Sequence, residues 1–184
     1  MKTFFTSDWH LGEDRIGING KPNLFYRPFT DITDQDDTII DNFNEEFKNG
    51  DTLYHLGDVI YKNSDRAKQY FGWLREDFPD SKFHLIIGNY DEDKLDILED
   101  YFDSMVRETT LAIRGRRYYL NHYPTNCIDK SFSITGHIHS LWKVQKNMIN
   151  VGVDAWHFKP VSEDEIDFCR TACEKYYDKN VFPY

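Results

Sequence analysis

Seven side chains in this sequence could together hold metal ions: Asp8, His10, Asp58, Asn89, His122, His137 and His139. Imidazole nitrogens, carboxylates and an amide oxygen suit first-row divalent ions such as manganese, iron, nickel or zinc. The set needs no thiol, which separates it from a structural cysteine–zinc site. Seven donors are too many for one tetrahedral ion and suit two ions sharing a bridging carboxylate. His137 and His139 stand two apart, so on an extended segment both rings project to one side. Singly, each fragment is weak evidence. Asp8-Trp9-His10 is a common kind of triplet, and Gly57-Asp58 or Gly88-Asn89 alone reads as a turn. Their joint occurrence in this order carries the weight.

Within a residue or two of each short apolar run stands a candidate donor. Phe4-Phe5-Thr6 leads into Asp8 and His10, Thr52–Leu56 into Asp58, and Phe83–Ile87 into Asn89. Tyr118–Leu120 leads into His122, and Phe132–Thr135 into His137 and His139. Such runs, bounded by glycine and polar residues, predict buried strands, and ligands of α/β sheets gather beyond the carboxyl ends of strands. Between the early strands, Ile39, Ile40, Phe43 and Phe47 form one helical apolar face, with Thr33 and Asp34 as candidate caps. Ala67, Phe71 and Leu74 form a second, and Leu95, Leu98 and Phe102 a third. Ser162 and Glu165 form a capping-box pattern opening a final helix, with Ile166, Cys169 and Cys173 inward. The first half alternates strand and helix, and the stretch from about Leu111 to Val153 is mostly strand. The expected fold is α/β, with two packed sheets and helices outside. A chain of 184 residues suits one domain spanning 1–184.

Acidic residues outnumber basic ones, 32 to 22, for a formal charge of −10. That balance disfavours non-specific binding to nucleic acid or an anionic membrane, although bound cations can still dominate the local field around a phosphate. No apolar run reaches the ~18 residues of a membrane span, and the N-terminus turns polar too soon for a signal peptide. A cytoplasmic protein is expected. Three cysteines give no disulfide framework. His55 alternates with Leu56 inside a strand and reads as a buried structural residue. Trp9, Trp156 and His157 could line a base-stacking wall or simply pack.

The ordered set Asp8-Trp9-His10, Gly57-Asp58, Gly88-Asn89-Tyr90-Asp91, His122 and Gly136-His137-Ile138-His139 resembles the calcineurin-like metallophosphoesterase superfamily. Tyr26-Arg27-Pro28-Phe29 and the segment Asn150–Trp156 are similar to its small bacterial and phage members. The resemblance implies a four-layer α/β/β/α sandwich with a dinuclear site at the strand ends. It also implies roles: Asp8, His10 and His139 on the first metal, Asn89, His122 and His137 on the second, and Asp58 bridging them. Two divalent ions are implied, manganese foremost, with iron, nickel or zinc as alternatives. The implied reaction is hydrolysis of a small, nucleotide-like phosphate ester, diester before monoester, by a metal-bridging hydroxide. Asp58, Asn89, Tyr90, Asp91 and His122 are the expected catalytic residues, and Arg27 the expected substrate contact. Tyr90 departs from the family pattern, which has histidine there, oriented by the residue at Asp91. A phenol donates hydrogen bonds but is a weaker general acid. The alternatives are a nuclease, for which so short a chain leaves little room, and a non-catalytic metal-binding interaction module, against which all seven filled ligand positions speak.

Overall fold

The computed structural model of the chain describes residues 1–13, 26–61 and 64–178. Two five-stranded sheets form its centre. The first contains β1 (Thr3–Thr6), β2 (Thr52–His55), β3 (Lys82–Ile86) and β4 (Ser104–Val106), parallel and adjacent in that order. The second contains β5 (Glu108–Ile113), β6 (Arg116–Asn121), β7 (Ser133–Thr135), β8 (Val144–Gln145) and β9 (Met148–Asn150), in the order β5-β6-β7-β9-β8. Here β6, β7 and β9 run parallel, with β5 and β8 antiparallel at the edges. A last strand, β10 (Val161–Ser162), returns antiparallel beside β1 in the first sheet.

Alternation along the strands divides the core in two. Phe4, Leu53, Phe83 and Leu85 face helices α1 (Ile32–Glu46) and α2 (Ser64–Asp77), meeting Ile39, Phe43, Phe47, Ala67, Phe71 and Leu74. Phe5, Leu56 and Ile86 face the other way, onto Tyr118, Leu120, Ile134 and Ile149 of the second sheet. Helix α4 (Glu163–Tyr176) adds Ile166, Cys169 and Cys173 to this second core. Its capping box is formed as the sequence implies, with Ser162 and Glu165 each accepting from the other's backbone N–H. Helix α1 starts earlier than its candidate caps suggest: the Asp31 carboxylate accepts from the N–H of Thr33 and of Asp34. Helix α3 is a single turn, Leu95–Leu98, although the apolar spacing runs on to Phe102. The Asp103 N–H donates to the Phe83 carbonyl at 2.7 Å and draws the chain into β4. All three cysteines are free thiols, and no helix among the described residues is long and apolar enough to cross a membrane.

His55 is fully buried beside Trp9 (ring centroids 4.9 Å apart) and Phe102. Neither ring nitrogen has a hydrogen-bond partner among the described residues. Burial, reinforced by the nearby His122, holds this ring down to about 3 from its ordinary 6.5. Across that window the unfolded chain binds a proton that the folded chain does not, so stability present above 6.5 is lost as pH falls. His55→Phe removes this component. In urea unfolding with a chelator present, the fall in stability between neutral pH and about pH 5 is expected to shrink by about 2 kcal/mol. A fall as steep as the parent's would show that the ring is not held neutral.

Candidate metal centre

The strands put their carboxyl ends on one edge, and the turns leaving them carry the seven candidate donors. Asp8, His10, Asp58, His137 and His139 all lie at positive φ, between 49° and 74°. This left-handed region costs a non-glycine residue roughly 1–2 kcal/mol, and such residues cluster where function over-determines the backbone. Hydrogen bonds between the turns hold them: the Asp8 N–H donates to the Gly57 carbonyl at 2.9 Å, and the His10 N–H to the Asp58 carbonyl at 3.0 Å. Gly57, at φ +92°, lies so close to the next turn that a Cβ would stand 2.6 Å from His122 Nδ1 and 2.7 Å from the Gly88 backbone.

All seven donors converge. Asp8, His10 and His139 bring one donor atom each within 4.8 Å of one another, as do Asp58, His122 and His137. Asp58 joins the groups, its Oδ2 standing 3.5 Å from His10 Nε2 and 3.5 Å from His122 Nε2. Asn89 Oδ1 lies 3.2 Å from His122 Nε2. The Leu56 carbonyl, 2.6 Å from His122 Nδ1, can only accept, so that nitrogen carries the proton and Nε2 presents its lone pair. The His139 ring is fixed likewise, with Nδ1 2.9 Å from Asp154 Oδ2. The backbone N–H of His137 donates to the Asp8 carboxylate at 3.0 Å, and that of Tyr90 to Asp58 Oδ1 at 2.9 Å. Asp8, His10, Asp58 and His122 are buried, whereas Asn89 and His137 are exposed. One side of the centre is therefore enclosed and the other open.

The electrostatics fit divalent cations. Burial pushes the Asp58 carboxyl up to about 7, opposed by the His122 ring and reinforced by Asp8. A cation within reach of its oxygens reverses that pressure. Partial desolvation and the His122 ring push His137 down, toward the neutral imidazole that ligates metal. A cavity of about 590 Å³ between Pro124–Lys130 and the β8–β9 hairpin contains none of these residues. Convergent donors mark the site better than volume does.

Two expectations change at this level. Asp91 is buried and accepts from the N–H groups of Gly88, Asp58 and Val59 at 2.8–2.9 Å. It clamps the Asp58 turn against the Asn89 turn instead of orienting a side chain at residue 90. Arg27, expected at the substrate, is buried and committed to protein: its Nε lies 2.8 Å from Asp154 Oδ1, and it donates to the carbonyls of Trp9 and Asp8. Burial alone would raise the Asp154 carboxyl, but Arg27 and His139 hold it well below the carboxylate range. Of the two readings of Trp9, packing holds: it is core, edge-on to Phe43 with its Nε1–H on Thr6. The Tyr90 ring sits 4.8 Å from His10 and 5.5 Å from Tyr61, beside the donors. Sequence reasoning missed Asp154 and the Leu56 carbonyl. The first stood within the quoted Asn150–Trp156 segment, and no side-chain pattern could have disclosed the second.

Asp91→Asn keeps the shape but turns one acceptor into a donor facing a backbone N–H. The expected result is a loss of about 1–3 kcal/mol in chemical denaturation, together with weaker metal binding. A variant as stable as the parent would remove the clamp.

The family profile described as calcineurin-like phosphoesterase matches residues 1–178. An uncharacterized protein of Methanocaldococcus jannaschii is 27% identical over 175 residues, covering 90% of this chain and 89% of that one. The gene 66 protein of Mycobacterium phage L5 is 27% identical over 199 residues, covering 89% and 91%. The solved structure of a protein of unknown function from Aquifex aeolicus matches with a TM-score of 0.69 at 26% identity, covering 91% of this chain and 98% of the other. The chain thus belongs to the calcineurin-like phosphoesterase family, whose members hydrolyse phosphate esters at dinuclear divalent metal sites.

Proposed function

We propose that residues 1–184 act as one dimetal phosphodiesterase domain on small, nucleotide-like esters. The observation that supports this most directly is Asp58 Oδ2 lying midway between His10 Nε2 and His122 Nε2, at 3.5 Å from each. In this reading Asp8, His10 and His139 hold one ion, Asn89, His122 and His137 the other, and Asp58 bridges. Three oxygen donors beside four imidazoles suit manganese, with iron, nickel or zinc as competitors. Such ions, when bound, acidify water and polarise a phosphoryl oxygen. His122, with its Nδ1 proton committed to Leu56, positions and moves no proton. Tyr90 stands where its hydroxyl can donate a hydrogen bond to the ester, stabilising charge without the proton transfer an imidazole would supply.

Two features favour a diester. The Arg27 guanidinium is spent inside the protein, so it offers nothing to the second charge of a monoester. A groove of about 370 Å³ beside Asn89 is lined by the Tyr61 and Tyr90 rings with Glu92, Asp93 and Lys94. It has room for one nucleotide-sized group, and its rings offer a stacking surface.

The test is manganese-dependent hydrolysis of bis-p-nitrophenyl phosphate beside p-nitrophenyl phosphate, with Asp58→Asn as control. Cleavage of the diester, faster than of the monoester and lost in the control, is the expected outcome. Cleavage of the monoester alone would make the protein a phosphatase. No reaction in manganese, nickel or zinc would leave a metal-binding interaction module. With alkyl diesters, whose leaving groups need a proton, Tyr90→His should raise the rate about tenfold or more. An unchanged or lower rate would show that the phenol only fills space over the donors.

A further inference from the structure

We infer that Arg27 and Asp154 form a buried positioning device for the Asp8, His10 and His139 group, and so set the affinity for one of the two ions and not the other. The inference rests on the dimetal reading above.

The Asp154 carboxylate is nearly enclosed and makes three contacts: Oδ1 with Arg27 Nε at 2.8 Å, and Oδ2 with an Arg27 terminal nitrogen at 2.9 Å and with His139 Nδ1 at 2.9 Å. A carboxylate paired to a guanidinium stays ionised and only accepts, so it fixes the proton on Nδ1 and turns the Nε2 lone pair toward Asp8 and His10. Two further N–H groups of the same guanidinium bind the Trp9 carbonyl at 2.9 Å and the Asp8 carbonyl. Those two peptides lie within the Asp8–His10 turn, whose ends carry φ values of 61° and 49°. One planar fork thus links the left-handed turn bearing Asp8 and His10 to the ring of His139, across 127 positions of sequence from Arg27 to Asp154. A bidentate fork transmits direction as well as charge, which a lysine could not do. A buried ion pair adds little stability over packed apolar groups, so orientation is its distinctive contribution.

Among the described residues the second group has no counterpart of this kind. His122 takes its tautomer from the backbone carbonyl of Leu56, which no substitution of Arg27 or Asp154 touches. The two ions should therefore respond differently to one change. Asp154→Asn is close to isosteric, yet its single oxygen cannot accept from both Arg27 nitrogens and from His139 at once. Either the fork loses a partner, or an N–H faces Nδ1 and drives the proton to Nε2, which then cannot ligate.

The experiment is calorimetric titration of the full chain with manganese(II), followed by electron paramagnetic resonance of the loaded protein. The parent is expected to bind two ions and give a spin-coupled signal. Asp154→Asn should weaken one ion about 10–100-fold, leave the other within error, and convert the coupled signal to a mononuclear one. Arg27→Lys should weaken the same ion. Equal weakening of both ions would mark a merely structural role and overturn the inference, as would two ions bound as tightly as in the parent. A parent that binds only one ion would overturn the dimetal reading instead. The ring of His139 then still decides, by long-range proton–nitrogen correlation in the metal-free parent. A proton on Nδ1 supports the device, and a proton on Nε2 overturns it. That second measurement also serves if Asp154→Asn does not fold.

Discussion

Everything at this centre turns on Asp58, a buried carboxylate that the first sheet supplies and the second sheet surrounds. Its Oδ2 stands equally far from His10, at the end of β1, and from His122, at the end of β6. Burial and the neighbouring Asp8 both oppose its ionisation. Carboxylates and imidazoles gathered this closely, with so little solvent, make sense as ligands for cations and poor sense as packing. The Leu56 carbonyl ties His122 across the junction between the sheets, so sheet packing and donor geometry are one constraint.

That constraint is built on unfavourable backbone. Five of the seven donor residues occupy left-handed conformations. The offsetting interactions are local and specific: the Asp91 carboxylate collects three N–H groups from two turns, and the Arg27 fork collects two carbonyls from a third. Gly57 and Gly88 let those turns approach within a distance that any side chain would forbid. Both charged clamps are buried polar groups with their hydrogen bonds made, the condition under which low dielectric rigidifies a site instead of destabilising it.

The two halves of the centre differ in access. Asp8 and His10 are enclosed, while His137 is exposed and Asn89 is exposed in the groove of Tyr61 and Tyr90. Substrate in the proposed reaction approaches from the open half. The enclosed half is the one held by the buried ion pair, where rigid orientation matters more than entry. The Tyr90 ring lies on the boundary, its backbone N–H bound to Asp58 and its face against Tyr61. Its backbone therefore serves the bridging carboxylate whatever side chain it carries.

The sequence by itself determined the strand–turn positions of Asp8, His10, Asp58, Asn89, His122, His137 and His139, because apolar runs and glycine-flanked turns are local in the chain. It also determined the two-sheet α/β architecture and the α4 capping box, which rest on periodicity and on residues three apart. Tertiary structure alone decided what Arg27 and Asp91 do. An arginine beside a proline reads as well shaped for phosphate until a carboxylate 127 positions away is seen to take its fork. An aspartate after Asn89-Tyr90 reads as a partner for a side chain until its oxygens are seen on backbone N–H groups. Burial and long-range hydrogen bonding assign those roles, and neither is written in spacing. The tautomer of His122 lay further still from the sequence, since it depends on a main-chain carbonyl that every residue possesses.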